Sequence, residues 1–337
     1  MSPTRIAIAG VGSIGTAHLA VLQASPRCRV SALVDPLPAA RARADAAGVP
    51  LYASLEQLFA ADRPDGVPAL LEKPIAPTVA EAERLTAHAE QRGARLLIGH
   101  HRAHSPIMQK ARDVVASGRL GRIVALTGSA MFCKPDRYFE SAPWRREAGG
   151  RPILLNLIHE VHNLRMLCGE IAAVQAIASN AVRGLNVEDT VAITLRFESG
   201  ALGSFLLCDC TASPRSWEQT SQENPVYASD PDEDCYLVAG THGSLAIPSM
   251  RLKTFADGAE RSWCTPFERG VVEARRDDPL ARQLEHFGAA IRGEAKPRVS
   301  ARDGLANLRV TEAIAAAARS GGTVELTETR STLQGAQ

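Results

Sequence analysis

Three glycines near the start of the chain have the spacing of a phosphate-binding turn. Gly10, Gly12 and Gly15 follow an apolar, strand-like run and open a helical pattern. The first glycine of such a turn permits the tight bend, the second lets the backbone approach a pyrophosphate, and the third lets the helix pack closely on the strand. Free N–H groups and the helix dipole at the helix N-terminus then favour the phosphate charge. The pattern predicts a dinucleotide site whose turn includes Ser13 and Ile14.

An acidic residue follows the second strand-like run, at the position where a ribose is recognised. Asp35 lies twenty residues after Gly15. Its carboxylate can accept hydrogen bonds from a ribose 2′-hydroxyl and repels a 2′-phosphate. The residues directly after it carry no positive charge, although Arg41 and Arg43 lie nearby. The sequence therefore favours NAD over NADP as the cofactor.

A charged tripeptide, Glu72-Lys73-Pro74, closes a further apolar run. The proline favours extended geometry at Lys73, and ligands bind at the carboxyl ends of strands in parallel sheets. A lysine at such a position offers positive charge to an oxygen that becomes negative in a reaction. A solvated Glu–Lys pair before a strand-ending proline accounts for the same residues, so the tripeptide alone leaves both interpretations open.

Polar residues also mark a predicted helix near the middle of the chain. Asn156, His159, Glu160 and Asn163 have the spacing of one helical stripe. Histidine titrates near neutral pH, so His159 is a candidate proton acceptor. His159 and His162 are three residues apart, which excludes a zinc site of the HExxH type. A structural histidine is the alternative, and we predict no metal site.

Composition places the chain among globular proteins and excludes several classes of partner. Its 337 residues suffice for two domains, and 45% hydrophobic and 22% charged residues are ordinary values. A net charge of +1 gives no electrostatic reason to expect nucleic acid or an anionic membrane. No apolar stretch is long enough to cross a bilayer, and the first strand begins too early for a signal peptide. We therefore expect a cytoplasmic protein.

Seven cysteines, an odd number, are scattered along the chain and are expected to be reduced thiols. Cys208 and Cys210 lie on one face of a predicted strand. Packing is the favoured explanation for this pair, with a metal pair as the alternative.

The first hundred residues alternate short apolar runs with helical patterns, which predicts a parallel sheet with crossover helices. Helices are expected over residues 14–24, 38–47, 54–61 and 78–93, and the last of them begins with a capping box. The fold class is therefore α/β for this part of the chain, with a Rossmann-type sheet.

Beyond residue 120 the pattern changes to strands in which polar and apolar residues alternate. A hairpin is expected over residues 187–207, with further strands over 122–132, 171–179, 235–239, 243–247 and 251–255. Helices over 280–292 and 303–319 complete an α+β domain with a large, open, mainly antiparallel sheet. The polar stretch 211–233 is expected to be a long surface loop.

These patterns divide the chain into three parts. A dinucleotide-binding domain is expected over residues 1–100, and an α+β domain for substrate and subunit contacts over residues 101–326. Helix 303–319 can pack back on the first domain, and residues 327–337 are expected to form a flexible tail.

The first domain is one βα unit shorter than a complete doubly wound sheet. The turn at residues 63–66 should lead into a fourth strand, but the run 68–71 follows after Val67 alone. Neighbouring parallel strands require a crossover of at least about ten residues. We expect a five-stranded parallel core or a chain break, with weakened activity. The strand before Lys73 either slides beside the first strand or keeps its own slot and leaves a hole.

Taken in order along the chain, these motifs resemble the glucose–fructose oxidoreductase/inositol dehydrogenase (Gfo/Idh/MocA) family. The resemblance extends from residue 5 to about residue 326 and rests on Gly10-Val-Gly-Ser-Ile-Gly15, Glu72-Lys-Pro74, Gly99-His-His-Arg102 and a GG…IH helix. It implies a Rossmann domain followed by an open antiparallel sheet domain. It also implies hydride transfer between NAD(P) and a hydroxyl carbon of a sugar, polyol or related cyclic compound.

The resemblance assigns roles to single residues as well. It implies that Lys73, next to Glu72, contacts the substrate and the nicotinamide ribose. It implies that His159 acts on the hydroxyl proton of the substrate, and that His101 lies near the nicotinamide. Asn156 is expected among the substrate contacts.

The chain departs from the family pattern at the position four residues before His159, where many members have an aspartate and this chain has Leu155. The adjacent Asn156 can orient a ligand but cannot take up a proton as a carboxylate does. Trp144 and Arg145 precede the glycine pair and either close over the substrate or form a surface basic patch. The alternative to a dehydrogenase is a dinucleotide-binding or assembly protein of the same family that has lost turnover.

The predicted strands over residues 187–207 carry apolar residues at alternate positions, and both faces of their sheet must be considered. One face belongs to the domain's own helices, and the other needs a partner. Because the family buries such a sheet between subunits, the resemblance implies a homodimer or homotetramer.

Overall fold

The computed structural model describes residues 3–62 and 68–326. The strands are β1 (Thr4–Ala9), β2 (Cys28–Val34), β3 (Leu51–Tyr52), β4 (Ala69–Glu72), β5 (Leu96–Gly99), β6 (Ile123–Met131), β7 (Ile171–Ser179), β8 (Thr190–Phe197), β9 (Leu202–Cys208), β10 (Tyr236–Gly240), β11 (Gly243–Ile247), β12 (Arg251–Thr254), β13 (Glu268–Val271) and β14 (Val324–Glu325). The α-helices are α1 (Ser13–Ala24), α2 (Arg41–Ala47), α3 (Leu55–Ala61), α4 (Val79–Gln91), α5 (Pro106–Ala116), α6 (Asp136–Glu140), α7 (Ile158–Cys168), α8 (Trp217–Thr220), α9 (Pro279–Ile291) and α10 (Ala301–Ser320). No helix among these residues has the length and apolar character needed to span a membrane.

The chain folds as two compact units. The first comprises the residues up to Ser105 together with Asp277–Gly304, and the second comprises Pro106–Arg276 and the residues from Leu305 onward. The boundary expected near residue 100 therefore misses one helix. α9 belongs to the first unit, because its side chains Leu284 and Phe287 pack in that unit's core. The predicted turn 63–66 and tail 327–337 lie outside the described residues.

Among its described residues the first unit has five strands, and these form two separate parallel sheets. β1, β2 and β3 pair in that order, and β4 pairs with β5. The expected single five-stranded core is therefore wrong, and the strand before Lys73 keeps a slot of its own. On the side of β5 away from β4, the N–H of Ile98 donates to the carbonyl of Val299 at 3.0 Å. This contact holds the β4–β5 pair against the segment that follows α9.

Burial along β1 reflects the missing βα unit. In β2 the three consecutive residues 32–34 are buried, as expected for a strand covered on both faces. In β1, Ile6 and Ile8 are buried while the residues between and beside them are exposed. Among the described residues, β1 has a strand on its β2 side only. The expected hole therefore lies beside β1.

The second unit is built on a nine-stranded sheet with the order β13-β12-β11-β10-β6-β9-β8-β7-β14. All neighbouring strands are antiparallel except β6 and β9, which run parallel. One face packs on the apolar sides of α5, α7 and α10. The other face exposes apolar side chains, namely Ile177, Leu202, Leu206 and Leu237. The predicted α+β domain with an open sheet is confirmed.

The first part of the polar stretch 211–233 is not the surface loop that its composition suggested, whereas most of residues 224–233 are exposed. Trp217 opens the short α8, is 3% exposed, and lies 6.0 Å from the ring centre of Tyr236. Its indole N–H donates to the buried Glu223 at 3.2 Å, and the hydroxyl of Thr220 donates to the carbonyl of Ser216 at 2.7 Å. Polar side chains are buried here because their partners lie within the same segment.

Candidate functional site

The glycine turn between β1 and α1 has the geometry that a pyrophosphate requires. Gly10 has a φ of +84°, which a residue with a Cβ adopts only under strain. A Cβ at Gly15 would overlap the carbonyl oxygen of Gly10, so close packing of the helix on the turn requires glycine there. Gly12 caps α1 without a side-chain hydrogen bond, and a Cβ on it would meet nothing within 4 Å. The first N–H groups of α1, at Ser13 and Ile14, thus face an open approach.

Asp35 is held beside this turn by the backbone. One carboxylate oxygen accepts the N–H of Val11 at 2.8 Å, and the other accepts the N–H of Leu37 at 2.9 Å. These two hydrogen bonds lower the pKa of Asp35 below its usual value of 3.8. The carboxylate is therefore ionised at neutral pH, and each oxygen retains acceptor capacity for a ribose hydroxyl.

A cavity of about 560 Å³ opens next to Asp35. Its walls are short apolar residues with a few polar groups, which suits an adenosine moiety. The lining residues are Asp35, Pro36, Leu37, Pro38, Arg41, Leu51, Ala53 and Gln57. The residues present therefore fit the dinucleotide that the glycine pattern predicts.

Glu72 ties three elements of the first unit together. Its carboxylate accepts from the ring nitrogen Nε2 of His18, on α1, at 2.8 Å. A Cβ on Gly99, at the end of β5, would lie 2.7 Å from the same carboxylate. Glu72, predicted to bind cofactor, thus engages α1 and β5, and the half-buried Lys73 follows it at the carboxyl end of β4.

His101 lies in the short 3-10 helix that follows β5. Burial, and after it the positive charges of Arg102, Lys73 and His18, lower the pKa of His101 from 6.5 to about 3. The side chain is therefore neutral at physiological pH and is a poor proton acceptor. It is suited to hydrogen bonding near a bound ring, not to proton transfer.

The second unit contains His159 at the start of α7, where it is 8% exposed. Residues Ile153–Leu157 before it form a π-helical turn, which adds residues to the turn and breaks the predicted stripe. Asn156 therefore accepts from the ammonium group of Lys134 at 2.7 Å. Asn163 faces the core instead, where its amide donates to the Tyr236 hydroxyl at 2.9 Å.

Glu160 also belongs to that buried network and not to the Asn156 side of the helix. The Tyr236 hydroxyl donates to the Glu160 carboxylate in a short hydrogen bond. The predicted polar stripe thus serves two purposes. Its Asn156 end faces Lys134, and its Glu160 and Asn163 positions satisfy buried polar groups in the core.

Arg145 and Trp144 lie together in the 3-10 turn Pro143–Arg146, but their surroundings differ. The guanidinium of Arg145 lies 3.8 Å from the ring centre of Tyr138 and donates to the Tyr138 carbonyl at 2.7 Å. A Cβ on Gly150 would overlap the backbone of Arg145, so the second glycine of the pair lets this turn pack closely. Trp144 is 53% exposed. The description as a basic surface patch therefore fails for Arg145.

Three residues that the sequence reasoning missed form an ion-pair cluster beside Asn156. The ammonium of Lys134 lies 3.2 Å from the buried carboxylate of Asp209, and Arg183 approaches the other carboxylate oxygen at 3.0 Å. Burial lowers the pKa of Lys134 from its usual value although Asp209 opposes the shift. The parallel pairing of β6 with β9, together with an antiparallel backbone β-bridge between Cys133 and Cys210, brings Lys134 and Asp209 together. Single-sequence patterns do not show which strands pair.

The cysteines flanking Asp209 give no sign of a metal site. Their sulfur atoms, on Cys208 and Cys210, lie 3.6 Å apart, and burial is the leading cause that raises the pKa of Cys210 to about 12. Among the residues that the structure describes, no group of three or more His, Cys, Asp or Glu side chains could hold a metal ion. All seven cysteines are free thiols.

Two family models match the chain. The one described as "Oxidoreductase family, NAD-binding Rossmann fold" matches residues 4–69, and the one described as "GFO/IDH/MocA C-terminal domain" matches residues 108–246. Together they cover more than half of the chain. The first match ends where the sequence lacks its βα unit.

Relatives of known activity are similar to the chain over most of its length. A 1,5-anhydro-D-fructose reductase from Ensifer adhaerens is 28% identical over 289 residues, covering 80% of this chain and 76% of that protein. The rhizopine catabolism protein MocA from Rhizobium meliloti is 25% identical over 343 residues, covering 93% of this chain and 94% of that protein.

Solved structures share the fold at lower identity. An oxidoreductase from Agrobacterium radiobacter, in complex with NAD+, L-tartaric acid and magnesium, has a TM-score of 0.78 at 18% identity and covers 96% of this chain and 98% of its own. The WlbA dehydrogenase from Bordetella pertussis, in complex with NADH and UDP-GlcNAcA, has a TM-score of 0.76 at 22% identity and covers 97% and 99%. These structures support a Rossmann domain followed by a large sheet.

The second and third glycines of the turn, Gly12 and Gly15, should respond differently to substitution by alanine. Gly12→Ala should retain the thermal stability of the wild type but weaken NADH binding at least about tenfold, because its Cβ occupies only the space that a pyrophosphate would use. Gly15→Ala should lower stability by about 1–3 kcal/mol, because its Cβ overlaps backbone. Thermal melts and NADH fluorescence titrations measure both effects. A Gly12→Ala protein that binds NADH as tightly as the wild type would contradict the assigned turn.

Proposed function

Because the chain belongs to the Gfo/Idh/MocA oxidoreductase family and begins with its NAD-binding Rossmann domain, we propose that it is an NAD-dependent dehydrogenase acting on CH–OH groups. Its substrate is a small sugar, polyol or related cyclic compound. The observation that carries this proposal is the glycine turn with the Asp35 carboxylate held next to it by the Val11 N–H. NADP is disfavoured because a 2′-phosphate would meet this ionised carboxylate.

The relatives support this substrate class. Besides the reductase of an anhydro sugar, they include a D-apiose dehydrogenase from Paraburkholderia graminis and an inositol 2-dehydrogenase from Rhizobium meliloti. At 24–28% identity they support the class of compound and not one substrate. No relative supports the alternative of a binding protein without turnover, and the turnover measurement below tests it.

The proposed chemistry assigns one role to each residue. The nicotinamide, when bound, supplies or accepts the hydride. His159 takes the proton of the substrate hydroxyl, a role for which an imidazole with an unprotonated ring nitrogen is suited. Lys73 stabilises the negative charge that develops on the reacting oxygen. His101, held neutral, contributes a hydrogen-bonding contact, and Asn156 orients the substrate.

The exposed face of the nine-stranded sheet is the proposed interface between subunits. Ile177, Leu202 and Leu237 on this face are 77%, 56% and 41% exposed. Apolar side chains on neighbouring strands form a patch that is costly to leave in water. Burial against a second copy in a homodimer or homotetramer removes this cost.

Removal of the Lys73 ammonium group or of the His159 imidazole should abolish most of the turnover. Lys73→Ala and His159→Ala should each lower kcat by about two to four orders of magnitude, because each removes stabilisation of the transition state. His159→Asn should be nearly as damaging, since the amide cannot accept the proton. Steady-state NADH formation with a panel of polyols and sugars measures the effect, with the exposed Lys110→Ala and His88→Ala as controls. Near wild-type turnover in Lys73→Ala would remove Lys73 from the mechanism.

The cofactor preference should depend on Asp35. The wild type should bind NADH more tightly than NADPH, and Asp35→Ser should shift this ratio toward NADPH by about tenfold or more, because the carboxylate no longer repels the 2′-phosphate. Fluorescence titrations with both cofactors measure the ratio. Asp45→Ser, on the exposed side of α2, is the matched control. Tighter binding of NADPH by the wild type would show that Asp35 does not discriminate as proposed.

Charge on the sheet face should separate the subunits. The double variant Ile177→Glu/Leu202→Glu should shift the sedimentation coefficient to that of a monomer at micromolar concentration, because charges cannot be buried unpaired in the interface. Val226→Glu, 85% exposed outside the strands, is the control and should leave the oligomer intact. A wild-type protein that sediments as a monomer would refute the interface.

A further inference from the structure

Two cations of the second unit lie against one aromatic ring. The ammonium group of Lys134 is 4.8 Å from the ring centre of Tyr138, and the guanidinium carbon of Arg145 is 3.8 Å from the same centre. The Lys134 side chain is only 10% exposed. Gly150 packs on the backbone of Arg145, and the Tyr138 carbonyl binds the guanidinium, so the second cation is also held in place.

Apart from the Asp209 carboxylate, the polar side chains beside this pair offer hydrogen-bond donors. An ammonium group can only donate, so the contact with Lys134 identifies the Asn156 atom at 2.7 Å as the amide oxygen. The NH₂ group of Asn156 is therefore left to donate to a ligand. The buried Nε of Arg145 has no hydrogen-bond partner among the described residues. Lys134, Arg145 and Asn156 together favour a group that accepts hydrogen bonds.

The carboxylate that contacts Lys134 directly also pairs with a second cation. The Asp209 carboxylate is shared between Lys134 and Arg183, at 3.2 and 3.0 Å. Asp136, a further acid next to Arg183, is 92% exposed, so solvent screens its charge. Arg145 adds a further positive charge beside the shared ring.

Two acids of the neighbouring loop are occupied by backbone N–H groups. Glu188 accepts from the N–H of Ile153 at 3.0 Å. Asp189 accepts from the N–H groups of Val182 and Arg183 at 3.0 and 2.9 Å. Neither contact uses the N–H donors of Lys134 or Arg145, so these two acids do not compete with a ligand for those donors.

From this arrangement we infer that the substrate carries a carboxylate that binds to Lys134 and Arg145, so that the substrate class is sugar acids and polyhydroxy acids rather than neutral sugars and polyols. A carboxylate accepts hydrogen bonds with both oxygens and does not donate, which matches the donors of these residues. The inference rests on the proposed function, since it names the substrate of that same dehydrogenase. Lys134 and Arg145 are then residues that determine specificity.

The test compares acids with their neutral counterparts on the full-length protein. D-gluconate, D-galactonate and D-glucuronate are paired with sorbitol, galactitol and D-glucose, in calorimetric titrations with and without NADH and in assays of NADH formation with NAD⁺. At least one acid should bind, and be oxidised, at least about tenfold better than its neutral partner. Arg145→Gln and Lys134→Met should each reduce that preference at least about tenfold, while Lys134→Arg should retain most of it.

Arg145→Gln keeps the test valid if Lys134→Met fails to fold, because Arg145 makes no ion pair with Asp209. Lys110→Met, on an exposed position of α5, controls for the loss of a lysine. If no acid binds better than its neutral partner, or if both variants retain the preference, the inference is wrong. If the protein binds no NADH, the proposed dehydrogenase fails, whereas acid binding without NADH would still support the carboxylate site. Efficient turnover of neutral polyols alone would leave the dehydrogenase intact and reject the carboxylate site.

Discussion

A strand inside a sheet needs backbone partners on both edges, and the first unit meets this requirement for β2 but not for β1. Both β1 and β5 have an edge at which β4 could pair, and β4 pairs with β5. The backbone of Val299 binds the other side of β5, so β5 has a backbone partner on each edge. The open edge and the half-exposed side chains of β1 follow from this choice.

The site in the first unit depends little on that open edge. The glycine turn is set by the packing of α1 on β1, and Asp35 is held by Val11 and Leu37. Lys73 and Glu72 depend on it more, because β4 has only one neighbouring strand among the described residues. The hydrogen bond between His18 and Glu72 compensates by joining the end of β4 to α1. The His18–Glu72 pair therefore connects helix α1 to the Glu72-Lys-Pro74 segment.

Patterns of local sequence predicted those parts of the molecule that local rules determine. The glycine spacing, the acid after β2 and the alternation along β8 and β9 are each readable within one or two elements, and the structure contains them. The Lys134–Asp209 pair was not predictable, because it forms only when β6 and β9 lie side by side. The π-helical turn before His159 was missed for a related reason. The extra residue in that turn depends on tertiary contacts such as the one between Lys134 and Asn156.

The contact between Glu72 and Gly99 also constrains how this sequence can change over time. A Cβ at position 99 would lie 2.7 Å from the Glu72 carboxylate, so an alanine there would displace the end of this flexible side chain. A smaller residue at 72 would in turn leave His18 without this acceptor inside the unit. The three positions lie on α1, β4 and β5, far apart in sequence. A substitution at one of them therefore changes the contacts of the other two.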